Sequence, residues 1–493
     1  MHERLSSARD EHRHAETEPL ARQLYQAHRE DEGADAPRTL GDLRAIANMI
    51  SWSGRTEEGV RAGEQTLAEY ERVYGAGDYR TGPALRNLGY LLGHAARPAD
   101  AERAFERAAE VCRLAPDRDA ANEIGEKPCD RFSDVAIADG YRELGLYDKA
   151  EIFELAYRTA PDPFASPQWH VGDLAMLGKF YFEYGEYPKA LWYLRACKKL
   201  WERAHPDVST ETPPIYQAPG IKMMLGNGAH TFSSIAPSCL EDFIDATERV
   251  GRRQQSQSLR ELEKRNWQRA DTGAAERQLK SDIERELGRD WVSPLRVAYP
   301  YEALGFMYNK TERYAQATDA FEHAHQYQQQ NWALLSRPEQ DHHVDDRLDS
   351  LLMRGDNAAA SGDLPRAEAS YLAFAALAQS NLNNRHRWRL DGSARLAGLY
   401  AGAGRNDEAL AMWKRYLAQA ESSRGTDHLD YAWGLAGQAE VYRAMGRARE
   451  ADAAERRAQA IRAVRTPQID AARDLPLPAA LQSNGALAKE LAN

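Results

Sequence analysis

Small residues and apolar residues recur along the chain in one register, and this register predicts antiparallel pairs of helices. A small residue stands at eight comparable places, in a turn that leads into an apolar, helix-like stretch. We call these residues the anchors: Gly59, Ala101, Ala150, Ala190, Ala317, Ala367, Ala409 and Ala451. The residue twelve positions before each anchor is always glycine or alanine: Ala47, Gly89, Ala138, Gly178, Gly305, Gly355, Ala397 and Ala439. Two small residues at this spacing let two neighbouring helices approach closely.

Other positions of the register predict how each pair packs and where its first helix ends. A tyrosine or an aliphatic residue follows three positions after the first small residue in seven cases, and Ala358 is the exception. A glycine four positions further on predicts a left-handed end to the first helix in six cases: Gly54, Gly145, Gly185, Gly362, Gly404 and Gly446. Apolar residues then predict the buried side of the second helix: Phe105, Leu194, Phe321, Tyr371 and Trp413. Because one pair cannot bury its apolar side alone, we expect the pairs to stack.

Four segments show this register most clearly and resemble the two-helix motif of the tetratricopeptide repeat family. They read NLGYLLGHAARPADAERAFERAAEV, LGKFYFEYGEYPKALWYLRACKKL, LGFMYNKTERYAQATDAFEHAHQY and LAGLYAGAGRNDEALAMWKRYLAQA. Neighbouring anchors are 42 residues apart at three places and 40 at a fourth, whereas the usual repeat has about 34 residues. This longer repeat resembles the kinesin light chain subtype. The resemblance implies an all-α fold, a right-handed α-solenoid of stacked antiparallel helix pairs.

The repeats cover about two thirds of the chain, and the remaining segments suggest how it is divided. We predict a charged leader, an N-terminal arm, a C-terminal arm and a tail at residues 1–39, 40–202, 295–465 and 466–493. Residues 203–294 contain a stretch rich in proline and glycine, TETPPIYQAPGIKMMLGNG, followed by a charged helical part. They are either an insertion that separates the two arms or a set of degenerate repeats.

Composition limits the partners and the compartment. The formal net charge is −11, and a general affinity for nucleic acid requires basic patches, so we expect no nucleic-acid partner. No apolar run reaches the ~18 residues of a membrane span, so we expect no membrane insertion. The first thirty residues lack the apolar run of a secretory signal. This favours a cytoplasmic protein, with a periplasmic or secreted one as the alternative if a signal peptide was removed. The sequence does not determine the oligomeric state.

The four cysteines, Cys112, Cys129, Cys197 and Cys239, show no paired metal-binding spacing. We expect Cys112 and Cys129 to be free, packed thiols. A disulfide between them is the alternative in an oxidising compartment.

No motif of a catalytic site or a nucleotide site is present, so we expect no enzyme, no catalytic residue and no cofactor. The densest group of ionisable residues runs from Asp341 to Asp346. His342, His343 and Asp346 are weak candidates for metal ligands, because imidazole and carboxylate groups bind metals. A solvated helix start is the simpler interpretation, and we predict no metal site.

The resemblance also implies candidate binding residues in the first two repeats. Peptide-clamping members of the family place a basic residue and an asparagine one turn later on one first helix, and an asparagine on the next. Arg44, Asn48 and Asn87 occupy these positions, with arginine in place of lysine. The basic positions on the third first helix are poorly matched, since Arg131 is one residue away. A solvated polar surface is the alternative.

Two aromatic residues complete the predicted partner-binding set. Tyr90 lies beside Asn87, and Trp52, near the end of a first helix, faces either the groove or the core. The predicted function is a non-catalytic adaptor or scaffold that binds a protein or peptide partner in the concave groove of the solenoid. One alternative is a regulatory protein whose two arms close on a small molecule or peptide. Another is an accessory or inhibitory partner of an enzyme or toxin.

Overall fold

A computed structural model describes most of the chain, and its described residues contain helices and no strand. The described ranges are 14–117, 127–160, 167–204, 236–269, 272–289, 292–335, 340, 343–471, 475–482 and 485–492. The predicted all-α fold is therefore confirmed. The stretch rich in proline and glycine at 210–228 lies outside the described residues.

The first part of the chain forms nine helices in the ranges that the structure describes. They are α1 (His14–Glu32), α2 (Pro37–Trp52), α3 (Thr56–Tyr74), α4 (Gly82–His94), α5 (Pro98–Arg113), α6 (Arg131–Glu143), α7 (Tyr147–Thr159), α8 (Pro167–Tyr184) and α9 (Tyr187–Ala204). A short 3-10 helix, Tyr79–Thr81, precedes α4.

The later described helices continue the pattern of paired helices. They are α10 (Ala236–Arg249), α11 (Arg253–Arg269), α12 (Thr272–Leu287), α13 (Pro294–Lys310), α14 (Tyr314–Leu334), α15 (Val344–Ser361), α16 (Leu364–Asn381), α17 (Trp388–Gly402), α18 (Asn406–Arg424), α19 (Leu429–Ala444) and α20 (Ala448–Ala471). Two short helices follow, α21 (Ala479–Gln482) and α22 (Gly485–Ala492).

The small residues mark the points where paired helices cross, as the register predicts. All seven anchor alanines are fully buried, with 0% of their surface exposed. Four of the preceding small residues are glycines that face the predicted apolar side chain of the second helix, namely Gly89 with Phe105, Gly178 with Leu194, Gly305 with Phe321, and Gly355 with Tyr371. A Cβ atom on these glycines would lie between 2.4 and 2.7 Å from the facing side chain. The two helices of each pair can therefore pack closely only because glycine has no side chain at the crossing point.

The turn between paired helices has a left-handed residue five positions before each anchor. The six predicted glycines all have φ between 71° and 88°. In the other two pairs the same place holds Ala96 and Glu312, with φ of 55° and 61°. The turn geometry is thus kept even where the residue is not glycine, because it directs the chain into the second helix.

The pair α10 and α11 has the turn geometry of the other pairs but lacks an alanine anchor. Gly251 has a φ of 83°, and the buried Ser256 follows five residues later. The Ser256 amide donates to the carbonyl oxygen of Arg252 at 3.0 Å, as the anchor amides do four residues back in the other pairs. Lys310 of α13 binds Glu241 and Glu263 of this pair, with Nζ–Oε1 distances of 2.7 and 2.5 Å. The described part of 203–294 thus contains a helix pair with the turn geometry of the repeats, and its assignment as an insertion or as degenerate repeats stays a prediction.

The chain forms two compact units. Unit 1 comprises Met1–Ala160 and Gln330–His343, and unit 2 comprises Pro161–Gln329 and Val344–Asn493. In unit 1, α2 contacts α4 and α4 contacts α6, so first helices lie side by side. In unit 2, α8 contacts α10 and α13 contacts α15 in the same way. Helix α1, within the predicted leader, packs against α2 and buries Leu20, Ala21 and Leu24.

The four cysteines form two disulfides, which corrects the expectation of free thiols. Cys112 at the end of α5 is bonded to Cys129 just before α6, and Cys197 of α9 is bonded to Cys239 of α10. Each bond spans a long connection between neighbouring helix pairs. The sequence alone could not distinguish the two states, because stacking of the pairs brings the sulfur atoms together.

The crossing points can be tested by overpacking. Gly178→Leu and Ala409→Leu should each lower the free energy of unfolding by about 1–3 kcal/mol, because neither position has space for the added carbons. Gly398→Leu is the matched control, since nothing lies within 4 Å of a Cβ atom at this helical glycine. Urea denaturation followed by circular dichroism measures the change. Unchanged stability of the first two variants would mean that these residues are not crossing points.

Candidate protein-binding faces

The side of a first helix on which a residue lies follows from the number of residues between it and the next anchor. Asn48 precedes Gly59 by 11 residues, Tyr90 precedes Ala101 by 11 and Asn87 precedes it by 14. Because α2 and α4 lie side by side in unit 1, equivalent positions point to the same side of the helix layer. We call Arg44, Asn48, Asn87 and Tyr90 the N-terminal face.

Asn87 is the polar residue of this face whose hydrogen bonds are incomplete. Its side chain is partly exposed, but the Nδ2 atom is inaccessible to solvent and has no hydrogen-bond acceptor. Buried amide donors are normally paired, since an unpaired one loses its hydrogen bonds to water without replacement.

Tyr90 joins two helix pairs. Its hydroxyl donates to the carbonyl oxygen of Ala136 in α6. Its ring packs edge-on against Phe105, with 5.2 Å between the ring centroids. Burial raises the pKa of the Tyr90 hydroxyl, and the nearby Asp139 and Glu143 act in the same direction. Tyr90 therefore holds α4 against α6 as a neutral donor.

The other predicted partner-binding residues lie in different surroundings. Trp52 is partly buried and packs on the cluster of Ala21, Ile46, Met49 and Ile50, with Tyr25 beside it. This position is on the core between α1 and α2. Arg44 is partly exposed on α2, one turn before Asn48. Arg131 begins α6, and its side chain lies outside the described residues.

The weak metal candidates are not brought together as a site within the described part of the chain. His342 lies outside it. The carboxylate of Asp346 accepts a hydrogen bond from the Tyr299 hydroxyl at 3.2 Å. No group of three or more histidine, cysteine, aspartate or glutamate residues among the described residues could hold a metal ion.

Unit 2 has five charged residues at register positions that Asn48, Tyr90 and Asn87 occupy in unit 1, and a sixth, Asp349, about one helical turn earlier. The reference residue is the buried one that follows the turn of each helix pair. Eleven residues before it lie Lys179, Asp245 and Asp356. Fourteen residues before it lie Asp242 and Arg395, and 18 before it lies Asp349. Three more charged groups interact with them electrostatically, namely Glu183, Asp345 and Arg387. We call these nine residues the charged cluster. The cluster was not predicted from the sequence. Counting back from the anchors finds Lys179, Asp356 and Arg395, but Asp242 and Asp245 are found only from Ser256, which is not an anchor.

The charged cluster contains more carboxylates than cations, six against three, and its charges act on each other across four elements. Burial raises the pKa of Asp242 to about 6, with Asp245 and Glu183 acting in the same direction and Arg387 and Lys179 opposing. Burial also raises the pKa of Asp349 to about 7, with Asp345 and Asp346 adding to the effect. These two carboxylates thus lie where water solvates their charge poorly.

A network of buried charges around Asp430 lies next to the cluster. Asp430 has 0% of its side chain exposed and pairs with Arg424 at 3.2 Å and Arg249 at 3.3 Å. Tyr187 of α9 also donates to it. Burial opposes ionisation, but Arg424, His428 and Arg249 outweigh it and lower the pKa of Asp430. This Asp430 network connects α9, α10, α18 and α19 within unit 2.

Stacked helix pairs with side-by-side first helices define an all-α helical-repeat fold. Residues 42–113 and 389–463 match the tetratricopeptide repeat family, so the repeats recognised in the sequence are confirmed. No functionally curated protein matches the chain. None of the described helices is long and apolar enough to cross a membrane.

Several solved structures are similar to this chain. BtubC (BKLC) from P. vanneervenii is 17% identical, with 47% of this chain and 81% of that chain covered and a TM-score of 0.31. A putative kinesin light chain with TPR-like repeats from Podosopora anserina is 17% identical, with coverages of 45% and 97% and a TM-score of 0.35. A signal transduction ATPase with a tetratricopeptide repeat sensor from Pyrococcus horikoshii is 13% identical, with coverages of 92% and 55% and a TM-score of 0.34.

Proposed function

We propose that this protein is a non-catalytic scaffold that binds an extended peptide segment of a partner protein on the N-terminal face. The observation that carries the proposal is the Asn87 amide, whose buried Nδ2 atom lacks an acceptor although the side chain as a whole is partly exposed. An asparagine amide both donates to and accepts from a peptide backbone. Asn48 lies at an equivalent side of the neighbouring helix and offers the same chemistry.

Arg44 adds a charged group one turn from Asn48. A guanidinium pairs with a carboxylate through two parallel hydrogen bonds, so this position suits an acidic side chain or a terminal carboxylate of the bound segment. Tyr90 and Trp52 contribute as packing groups that fix the helices carrying the polar residues. The proposed binding residues are therefore Arg44, Asn48 and Asn87.

The double change Arg44→Ala with Asn87→Ala should weaken peptide binding by more than tenfold, or about 1.4 kcal/mol. It removes a charge-assisted bond and a bond to the peptide backbone. The probe is a peptide selected from a random phage-displayed library on the full-length protein, and fluorescence anisotropy measures its affinity. Added salt should weaken binding if the arginine meets a carboxylate.

A matched control is Arg103→Ala on the second helix α5, where the side chain is 68% exposed and paired with Asp100. It should leave the affinity for the peptide unchanged. Both variants should melt near the wild-type temperature, since the changed groups are not fully buried. Full affinity in the double variant would exclude the N-terminal face as the binding site.

We also propose that the protein matures in an oxidising compartment, in place of the cytoplasmic expectation. The support is the pairing of all four cysteines as two disulfides, since such bonds persist in oxidising environments and are rare in the cytosol. To test for the two disulfides, the thiols of the purified protein are alkylated once without prior reduction and once after reduction, and the two masses are compared. The reduced sample should be heavier, because reduction frees the paired cysteines to react.

A further inference from the structure

Two of the six carboxylates in the charged cluster are not directly paired within the described part of unit 2. Neither Asp242 nor Asp349 makes a hydrogen bond or an ion pair with any of the residues that the structure describes. Both are partly exposed, so a ligand can reach them. Ionised carboxylates held away from bulk water gain most from a cation that binds them directly.

The ammonium group of Lys179, one of the three cations of the cluster, is shared among several carboxylates. Lys179 Nζ lies 3.8 Å from Glu183 Oε1, which is longer than a hydrogen bond, and 37% of its side chain is exposed. Its charge interacts with Glu183, Asp349, Asp242 and Asp345 together. This one ammonium group interacts with four carboxylates, and with six carboxylates against three cations the cluster keeps an excess of negative charge.

Arg387 supplies an independent sign of a missing partner. The residue is nine-tenths buried, and its Nη1 donates to Asp391 at 2.8 Å. Its Nε atom is buried and has no acceptor. Its charge acts on Asp242 and Asp349, so it lies among the carboxylates. A carbonyl oxygen entering the cluster would complete the hydrogen bonds of this guanidinium.

We propose that the charged cluster of unit 2 is a second binding surface, and that its ligand is a segment of a partner protein rich in arginine or lysine. The carboxylates bind the side-chain cations, and Arg387 donates to a backbone carbonyl oxygen of the same segment. A basic peptide offers both groups, whereas a polyamine offers only cations. This surface is separate from the N-terminal face, and the proposal does not depend on the proposed function.

The surface should respond to pH in a defined direction. Asp242 faces Arg387, Lys179, Asp245 and Glu183. Asp349 faces Lys179, Asp345, Asp346 and Arg387. Because the pKa values of Asp242 and Asp349 are raised to about 6 and about 7, both become neutral as the pH falls from about 8 to about 5. The affinity for a cationic segment should decrease over this range.

The test measures the binding of a fluorescein-labelled peptide of alternating glycine and arginine to the full-length, oxidised protein. Asp242→Asn with Asp349→Asn should weaken binding at pH 8 by at least about tenfold and remove most of the pH dependence. Lys179→Gln should strengthen binding, because it removes the cation that competes with the ligand. This opposite effect is not produced by a loss of folding.

The matched control is Asp407→Asn with Asp452→Asn, which changes the net charge equally at two exposed positions on second helices. It should leave the affinity nearly unchanged, as should Arg44→Ala with Asn87→Ala in unit 1. If the control pair weakens peptide binding equally, the weakening is due to net charge alone, and the proposal is overturned. Binding of spermidine as tightly as the peptide, or no binding of the peptide at all, would also overturn it.

Discussion

Asp430→Asn is expected to lower the free energy of unfolding of unit 2 by about 3–5 kcal/mol. Asp430 is the carboxylate partner of Arg424, whose side chain is only 4% exposed, and it shares Arg249 with Asp391. Neutralising Asp430 removes the negative charge that compensates the buried Arg424 guanidinium, which also donates to the backbone carbonyl oxygens of Glu183, Tyr184 and Arg385. Urea denaturation followed by tryptophan fluorescence measures the loss, because Trp433 lies against Arg249.

The control for this prediction is Asp427→Asn, three residues earlier in the chain. Asp427 pairs with Arg465 at 2.7 Å, but 77% of its side chain is exposed. Solvent screens such a pair, so the loss should be at most about 1 kcal/mol. Similar losses in the two variants would mean that the Asp430 network does not stabilise unit 2.

The same network predicts how acid acts on unit 2. The pKa values of Asp430 and Asp391 are lowered in the folded protein, below the ordinary value of about 3.9. Their contribution to stability is therefore complete above that value and is lost as the pH falls below it. The difference in stability between wild type and Asp430→Asn should be constant near neutral pH and should shrink below about pH 4.

Removal of the Cys197–Cys239 disulfide should destabilise the protein by about 4 kcal/mol, and removal of Cys112–Cys129 by about 3 kcal/mol, in the chain-entropy description. The bonds span 42 and 17 residues of sequence, so the first restricts the unfolded chain more. Paired Cys→Ala variants, compared by thermal melting with and without reductant, measure both effects.

The reductant provides the control for the disulfide prediction. A variant without both bonds should no longer respond to reductant, whereas each paired variant should still respond through the remaining bond. Equal melting temperatures for wild type and both paired variants in oxidising buffer would show that the bonds do not stabilise the stack.

The N-terminal face was partly predictable from the sequence. The register placed Asn87 beside Tyr90 on a first helix, and the structure has both on α4. The sequence could not show that the Tyr90 hydroxyl is bound to Ala136, because that contact depends on how closely α6 approaches α4. The sequence also could not show whether Trp52 faces the groove or the core, because the answer depends on where α1 packs.

The sequence by itself determined the helix pairs and their crossing points. Glycine and alanine at the crossings, with Phe105 or Leu194 opposite them, are local requirements of two helices that pack closely, and they leave a regular pattern in the chain. The left-handed turns between the helices leave a comparable pattern, since glycine adopts that conformation at low cost.

Only the tertiary structure decided which distant charges meet. Arg249 and Asp430 are 181 residues apart, and Tyr187 and Asp430 are 243 apart. The same is true of Lys179 and Asp349, which lie on helices of different repeats. No local pattern specifies these contacts, because they form only when the stacked pairs of unit 2 bring α8, α9 and α10 against the later helices. Burial then determines which of these charges stabilise the fold and which remain available to a ligand.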